Sequence, residues 1–245
     1  MSGYLTTVLR LIQILQMISQ AVWFDDASAS FLPHVNSSVV QLLSKRLSSD
    51  IPELIYISKK ESYQVFSKHL RLLLEEHQII ELFDVIQNLP LIEVSFVISQ
   101  MEESESTDDD QGHVIKKRSF NVEAAFPNNS FRERKYYHFL PNCGYLLTLK
   151  LIRSQRLTKS GKVTEKAYAP MFPKPKDENW IVIVGDCDTQ ELIALKKIGP
   201  ISSKNVQSVD LFFKTPETSA RLIYTIFLLS DCYLGLDQQY ELGLD

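Results

Sequence analysis

The first long segment, "YLTTVLRLIQILQMISQAVWF" at residues 4–24, is apolar almost all round. Its polar residues Thr6, Arg10, Gln13 and Gln20 recur at three- to seven-residue steps along one stripe, which is helical spacing. So narrow a stripe leaves most of the circumference wanting cover. The expectation is a buried core helix, because a membrane-surface helix would carry more cationic charge on its polar face. Few other helices follow, so the pattern predicts a helix that belongs to a larger bundle.

After Pro33 the pattern predicts a second helix at 37–47, capped by Ser37 or Ser38. Asp50-Ile51-Pro52-Glu53 starts a short helix with proline in its first turn, and helices at 61–74 and 77–87 follow. From Leu89 the period shortens. "LPLIEVSFVIS" reads as a strand, as do 118–125, 144–153, 179–186, 191–198, 208–213, 221–231 and 239–244. Short strands separated by turn signals predict a β-sandwich. "WIVIV" is apolar on both faces, which places Trp180 in the core, and Tyr224 is read as a tyrosine corner. The final stretch, "SDCYLGLDQQYELGLD", has hairpin grammar, with Gly235 and Asp237 supplying the turn. Its last strand, 239–244, is the natural free edge, with Tyr233 and Tyr240 as amphipathic docking candidates.

Composition changes this picture little, and charge changes it more. The chain has 245 residues, 44% hydrophobic and 23% charged, with a net charge of −4. It fits an ordinary globular protein. Residues 102–110 hold six acids and no base, inside a loop expected at 101–113. Residues 131–176 hold eleven bases against two acids, +9, so a local basic surface is expected despite the acidic sum. Arg153, Arg156, Lys159 and Lys162 in its hairpin are the candidates for phosphate contact. No aromatic platform is interleaved with them, which favours a solvated hairpin balancing the acidic loop. Cys143, Cys187 and Cys232 lie far apart and suggest neither a disulfide framework nor a zinc site. No apolar run reaches the ~18 residues of a membrane span.

Catalytic motifs are absent. Gly161-Lys162 is followed by Val163 with no glycine five residues upstream, so there is no phosphate loop. Asp177-Glu178 continues as Asn179-Trp180, which is no acidic helicase box, and no Gly-x-Ser-x-Gly elbow occurs. The five histidines show no ligand spacing. The expectation is a non-enzyme without catalytic residues, cofactor or metal.

"PKPKDENWIVIVGDCDTQELIALKKIG", "FFKTPETSARLIYTIFLLSDCYLGLDQQYELGLD" and "SGYLTTVLRLIQILQMISQAVWF" together resemble the C-terminal part of the Sec-sixty-three-homology unit of Ski-two-like superfamily-two helicases. The ending at 231–240 is most similar to the branch serving the activating signal cointegrator complex. The spliceosomal unwinding helicase and a translocon-associated Sec-sixty-three protein are the alternatives. The resemblance implies an α+β multidomain chain: C-terminal helices of a helical bundle at 1–48, a helix-loop-helix domain at 49–88, and an immunoglobulin-like sandwich at 89–245. It implies a non-catalytic accessory and docking role, with ATP hydrolysis belonging to RecA-like motor domains not contained in this sequence. The implied partners are those motor domains, other cointegrator subunits and, weakly, RNA or DNA, but no membrane. Alkylation repair, ribosome quality control and transcriptional coactivation, in nucleus and cytoplasm, are what it implies for the parent.

Overall fold

The computed structural model describes residues 4–60, 63–101, 119–122, 136–154, 166–202, 205–217 and 221–245. The acidic loop expected at 101–113 falls almost wholly outside these residues, as do Arg156, Lys159 and Lys162.

Among the described residues the order is helices first, strands after. Helices α1 (Leu5–Gln20), α2 (Ser37–Arg46), α3 (Ile51–Lys60), α4 (Tyr63–Leu70) and α5 (Glu76–Asn88) lead. Strands β1 (Ile92–Met101), β2 (Ser119–Val122), β3 (Tyr136–Tyr137), β4 (Gly144–Arg153) and β5 (Trp180–Asp186) follow. Then come β6 (Glu191–Ile198), β7 (Gln207–Lys214), β8 (Leu222–Ser230) and β9 (Gln238–Leu244). The fold is α+β.

Capping explains where helices begin. The N-cap of α2 is Asn36, whose side chain accepts from the Val39 N–H at 3.0 Å, one residue before the serines expected to do this. Lys45 and Arg46 close its last turn, where the dipole favours cations. At α5 the Glu75 N–H donates to the Gln78 side chain at 3.0 Å, half of a capping box.

The strands form two sheets, ordered β2-β1-β4-β7 and β3-β9-β8-β5-β6. All pairs are antiparallel except β3 with β9, a two-residue parallel pairing. Alternation drives the first sheet: β1, β4 and β7 bury every second residue. Strands β5 and β8 are buried on both faces. The expected free edge is corrected at its end: β9 lies between β8 and β3, and Tyr136 and Tyr137 pair with its last two residues, Gly243 and Leu244. The short strand β3 carries too few residues to show as a pattern. Phe213 from β7 meets Tyr224 from β8 edge-on at 5.8 Å, so the two sheets share one interior, with Trp180 fully buried in it.

Helices α2 to α5 extend that same core, with α3 against α5 and α4 against both α2 and α5. Helix α1 does something else. It lies on the outer face of β5 and β8, where Leu5 and Ile12 pack with Ile183, Phe227 and Leu229. Gly185 makes that approach feasible: a Cβ there would stand 2.6 Å from the Leu5 side chain.

Candidate docking interface

Helix α1 is inverted relative to a core helix. Its later buried residues are polar: Gln16, Ser19 and Gln20 are at most 4% exposed. Leu11, Ile14 and Ile18 on the other side are 59%, 46% and 62% exposed, and Trp23 and Phe24 just beyond are comparably open. The expected buried core helix is thereby corrected. Apolar surface on most of the circumference was legible in the sequence, but within the described residues only one face has cover.

The reason lies in what the polar side chains meet. Where β8 ends at Ser230, the chain leaves the sheet ladder, and the Ser230, Asp231 and Cys232 carbonyls need donors. Gln16 Nε2 donates to the Ser230 carbonyl at 2.7 Å and to Asp237 at 2.9 Å. The Ser19 hydroxyl, 2.7 Å from the Leu15 carbonyl of its own helix, also lies 3.3 Å from the Asp231 carbonyl, and Gln20 Nε2 donates to Cys232 and Tyr168 carbonyls at 2.9 and 3.0 Å. Residues 16, 19 and 20 share a face because three and four steps bring a helix round once. They read three consecutive carbonyls of the β8–β9 hairpin. The sequence signal was present as glutamines in an apolar helix, but polarity alone suggested the opposite face.

The hairpin is itself tightly tied. Ser230 Oγ accepts from the Cys232 and Tyr233 N–H groups, and Asp237 accepts from the Ser230 N–H at 3.0 Å. Asp231 takes the Asn179 N–H at 3.1 Å and pairs with Lys176 at 3.2 Å. Gly235 sits at φ +82°, where a side chain is strained, and a Cβ would lie 2.8 Å from Ser28. Burial, with the neighbouring Asp231 charge behind it, pushes the Cys232 thiol up, so it is no ready nucleophile.

The docking tyrosines are corrected. Tyr233 is 1% exposed, its ring against Phe31 and its hydroxyl accepting the Tyr168 N–H at 2.7 Å. Tyr240 turns inward, its ring 5.0 Å from Phe96 and its hydroxyl on Gln238. Tyr233 turns inward from the loop between β8 and β9, and Tyr240 from β9 itself, directions that the hairpin grammar left unassigned.

Arg153 is also corrected as a phosphate contact. It ends β4 at 3% exposure, donating to Glu178 at 2.5 Å and to the Asn88 carbonyl at 3.1 Å. It thereby ties β4 to the end of α5 and to the strand-opening Glu178. Lys166 pairs with Asp177 and Lys176 with Asp231, so these bases of the +9 span have carboxylate partners. Among the described residues no three His, Cys, Asp or Glu side chains gather as a metal site.

The chain is 34% identical over 257 residues to human "Activating signal cointegrator 1 complex subunit 3", covering 99% of this chain and 11% of the relative. The mouse protein of that name is 32% identical over the same span. Human "U5 small nuclear ribonucleoprotein 200 kDa helicase" is 24% identical over 244 residues, 100% of this chain and 9% of its own length. The chain thus spans about a tenth of the curated relatives it matches. Residues 1–243 match the Sec63 Brl domain, and the chain belongs to that family.

Proposed function

We propose that this chain is a non-catalytic accessory region of an ATP-dependent nucleic-acid helicase of the cointegrator type, docking on the rest of that helicase through the outward face of α1. One observation carries the reading: Leu11, Ile14 and Ile18 stand open while Gln16, Ser19 and Gln20 are buried. A helix held by polar bonds on one side and bare on the apolar other is built to be covered by a second body. The division at 1–48, 49–88 and 89–245 and the immunoglobulin-like reading of the sheets belong to the same proposal. So do a nuclear and cytoplasmic setting and the parent's roles in repair, ribosome quality control and coactivation. Identity of 34% to the cointegrator subunit against 24% to the spliceosomal helicase favours the first parent over the second.

The test is made in the parent polypeptide. Ile14→Lys with Ile18→Lys should lower nucleic-acid-stimulated ATP turnover and unwinding several-fold while residues 1–245 stay folded. Unchanged turnover and unwinding would overturn the proposal.

A further inference from the structure

A cleft of about 450 Å³ opens where α1, the start of α3, the Pro90–Leu91 linker and the β8–β9 hairpin meet. That volume lies within the ~300–1,000 Å³ of ligand clefts, and junctions between packed units are where such clefts occur. Its walls are apolar over Ile12, Pro52, Leu91, Phe227 and Leu236. Against them stand two carboxylates, Asp50 and Asp237, and the side-chain amides of Gln13 and Gln239. Among the described residues lining it there is no lysine, arginine or histidine.

The carboxylates lack a counter-charge. The groups acting on Asp237 are Gln16 and the Ser230 N–H; those acting on Asp50 are the N–H and the charge of Glu53. Burial pushes the Asp50 carboxyl upward and Asp237 up to about 6, with hydrogen bonds pulling both back. A value of about 6 leaves the Asp237 carboxylate charged at pH 7.5. Two partly desolvated anions in an apolar recess are stabilised by an incoming cation and repelled by an incoming phosphate.

We infer that this cleft receives a lysine or arginine side chain of a protein partner, flanked by apolar residues. The aliphatic stem lies on Leu91, Phe227 and Leu236 while the head meets Asp50 and Asp237. The Gln13 and Gln239 amides offer both donors and acceptors to the flanking peptide groups. A neutral apolar segment would desolvate the carboxylates further without a counter-charge, and a nucleic acid would bring the wrong charge.

Methyl NMR of residues 1–245 at pH 7.5 tests this with two probes, acetyl-Leu-Arg-Leu-amide and its citrulline counterpart. The arginine peptide should shift the Ile12, Leu91 and Leu236 methyls, with a Kd on the order of 1 mM. The citrulline peptide should bind about tenfold more weakly. Asp50→Asn should reduce that preference and Asp50→Asn with Asp237→Asn should abolish it, urea midpoints confirming that both variants fold. Equal binding of the two peptides, shifts centred elsewhere, or no shift at several times the expected Kd would overturn the inference. So would shifts of these same methyls by oligouridylate. Leu11, Ile14 and Ile18 lie outside the cleft, so failure here leaves the docking of α1 untouched.

Discussion

Gln16 on α1 and Asp237 in the β8–β9 hairpin, 221 residues apart, meet with Nε2 2.9 Å from one carboxylate oxygen and 3.0 Å from the other. The same amide holds the Ser230 carbonyl, so one side chain fastens the first helix to the last turn. Truncation leaves a buried carbonyl short of a donor, at about 1–3 kcal/mol. Gln16→Ala should therefore lower stability by that amount in urea, whereas Ile14→Gln should stay within about 0.5 kcal/mol. Equal losses at the two positions would mean that the apolar face of α1 is covered within the chain.

Arg153 and Glu178 form an ion pair in which both side chains are 1% exposed. Removing one partner strands a charge in the interior, whereas removing both does not. At pH 8, Arg153→Met should cost about 3–5 kcal/mol, and Arg153→Met with Glu178→Met should recover most of it. A double variant as unstable as the single one would show that the pair's worth lies elsewhere, for instance in the bond to the Asn88 carbonyl.

The same pair gives the chain a pH dependence. Burial pushes the Glu178 carboxyl up to about 7, against the pull of the Arg153 charge. With the folded value above the ordinary 4.5, the native state holds the extra proton between them. This group's contribution is then full below about pH 4.5 and is lost as pH rises through 7. The stability of wild type minus that of Glu178→Gln should shrink from pH 5 to pH 8. A difference that grows over that interval contradicts the assignment.

Gly235 is held at φ +82° against Ser28. Alanine there meets both a backbone penalty and a contact of 2.8 Å, so Gly235→Ala should cost roughly 1–3 kcal/mol. Adding Ser28→Gly should recover the steric share and leave the backbone share. A neutral Gly235→Ala in thermal denaturation would refute the reading of this turn.

Period and turn chemistry made most elements legible: β4 and β6 carry the bounds expected from "GYLLTLKLIR" and "ELIALKKI". The two residues of β3 are too few to make a pattern, yet they close the edge of β9 at Gly243 and Leu244. Site residues were harder. Arg153 counted as a surface base because the sequence does not show that Glu178 waits 25 residues on in the interior. Tyr233 and Tyr240 were legible as amphipathic, but the direction of Tyr240 depends on the register with β8 and that of Tyr233 on the loop that follows Ser230. For α1 the apolar excess was plain. Which stripe faces inward was decided by three carbonyls at the far end of the chain, a long-range demand that no local period encodes.

Isothermal titration of residues 1–245 with the motor half of the proposed parent helicase tests the central claim most directly. Wild type should bind with a negative heat-capacity change, the mark of apolar burial. The Leu11→Gln, Ile14→Gln, Ile18→Gln variant should keep its urea midpoint and lose at least about tenfold in affinity, since each buried side chain contributes about 1.5–3 kcal/mol. Undiminished binding by that folded variant would contradict the account.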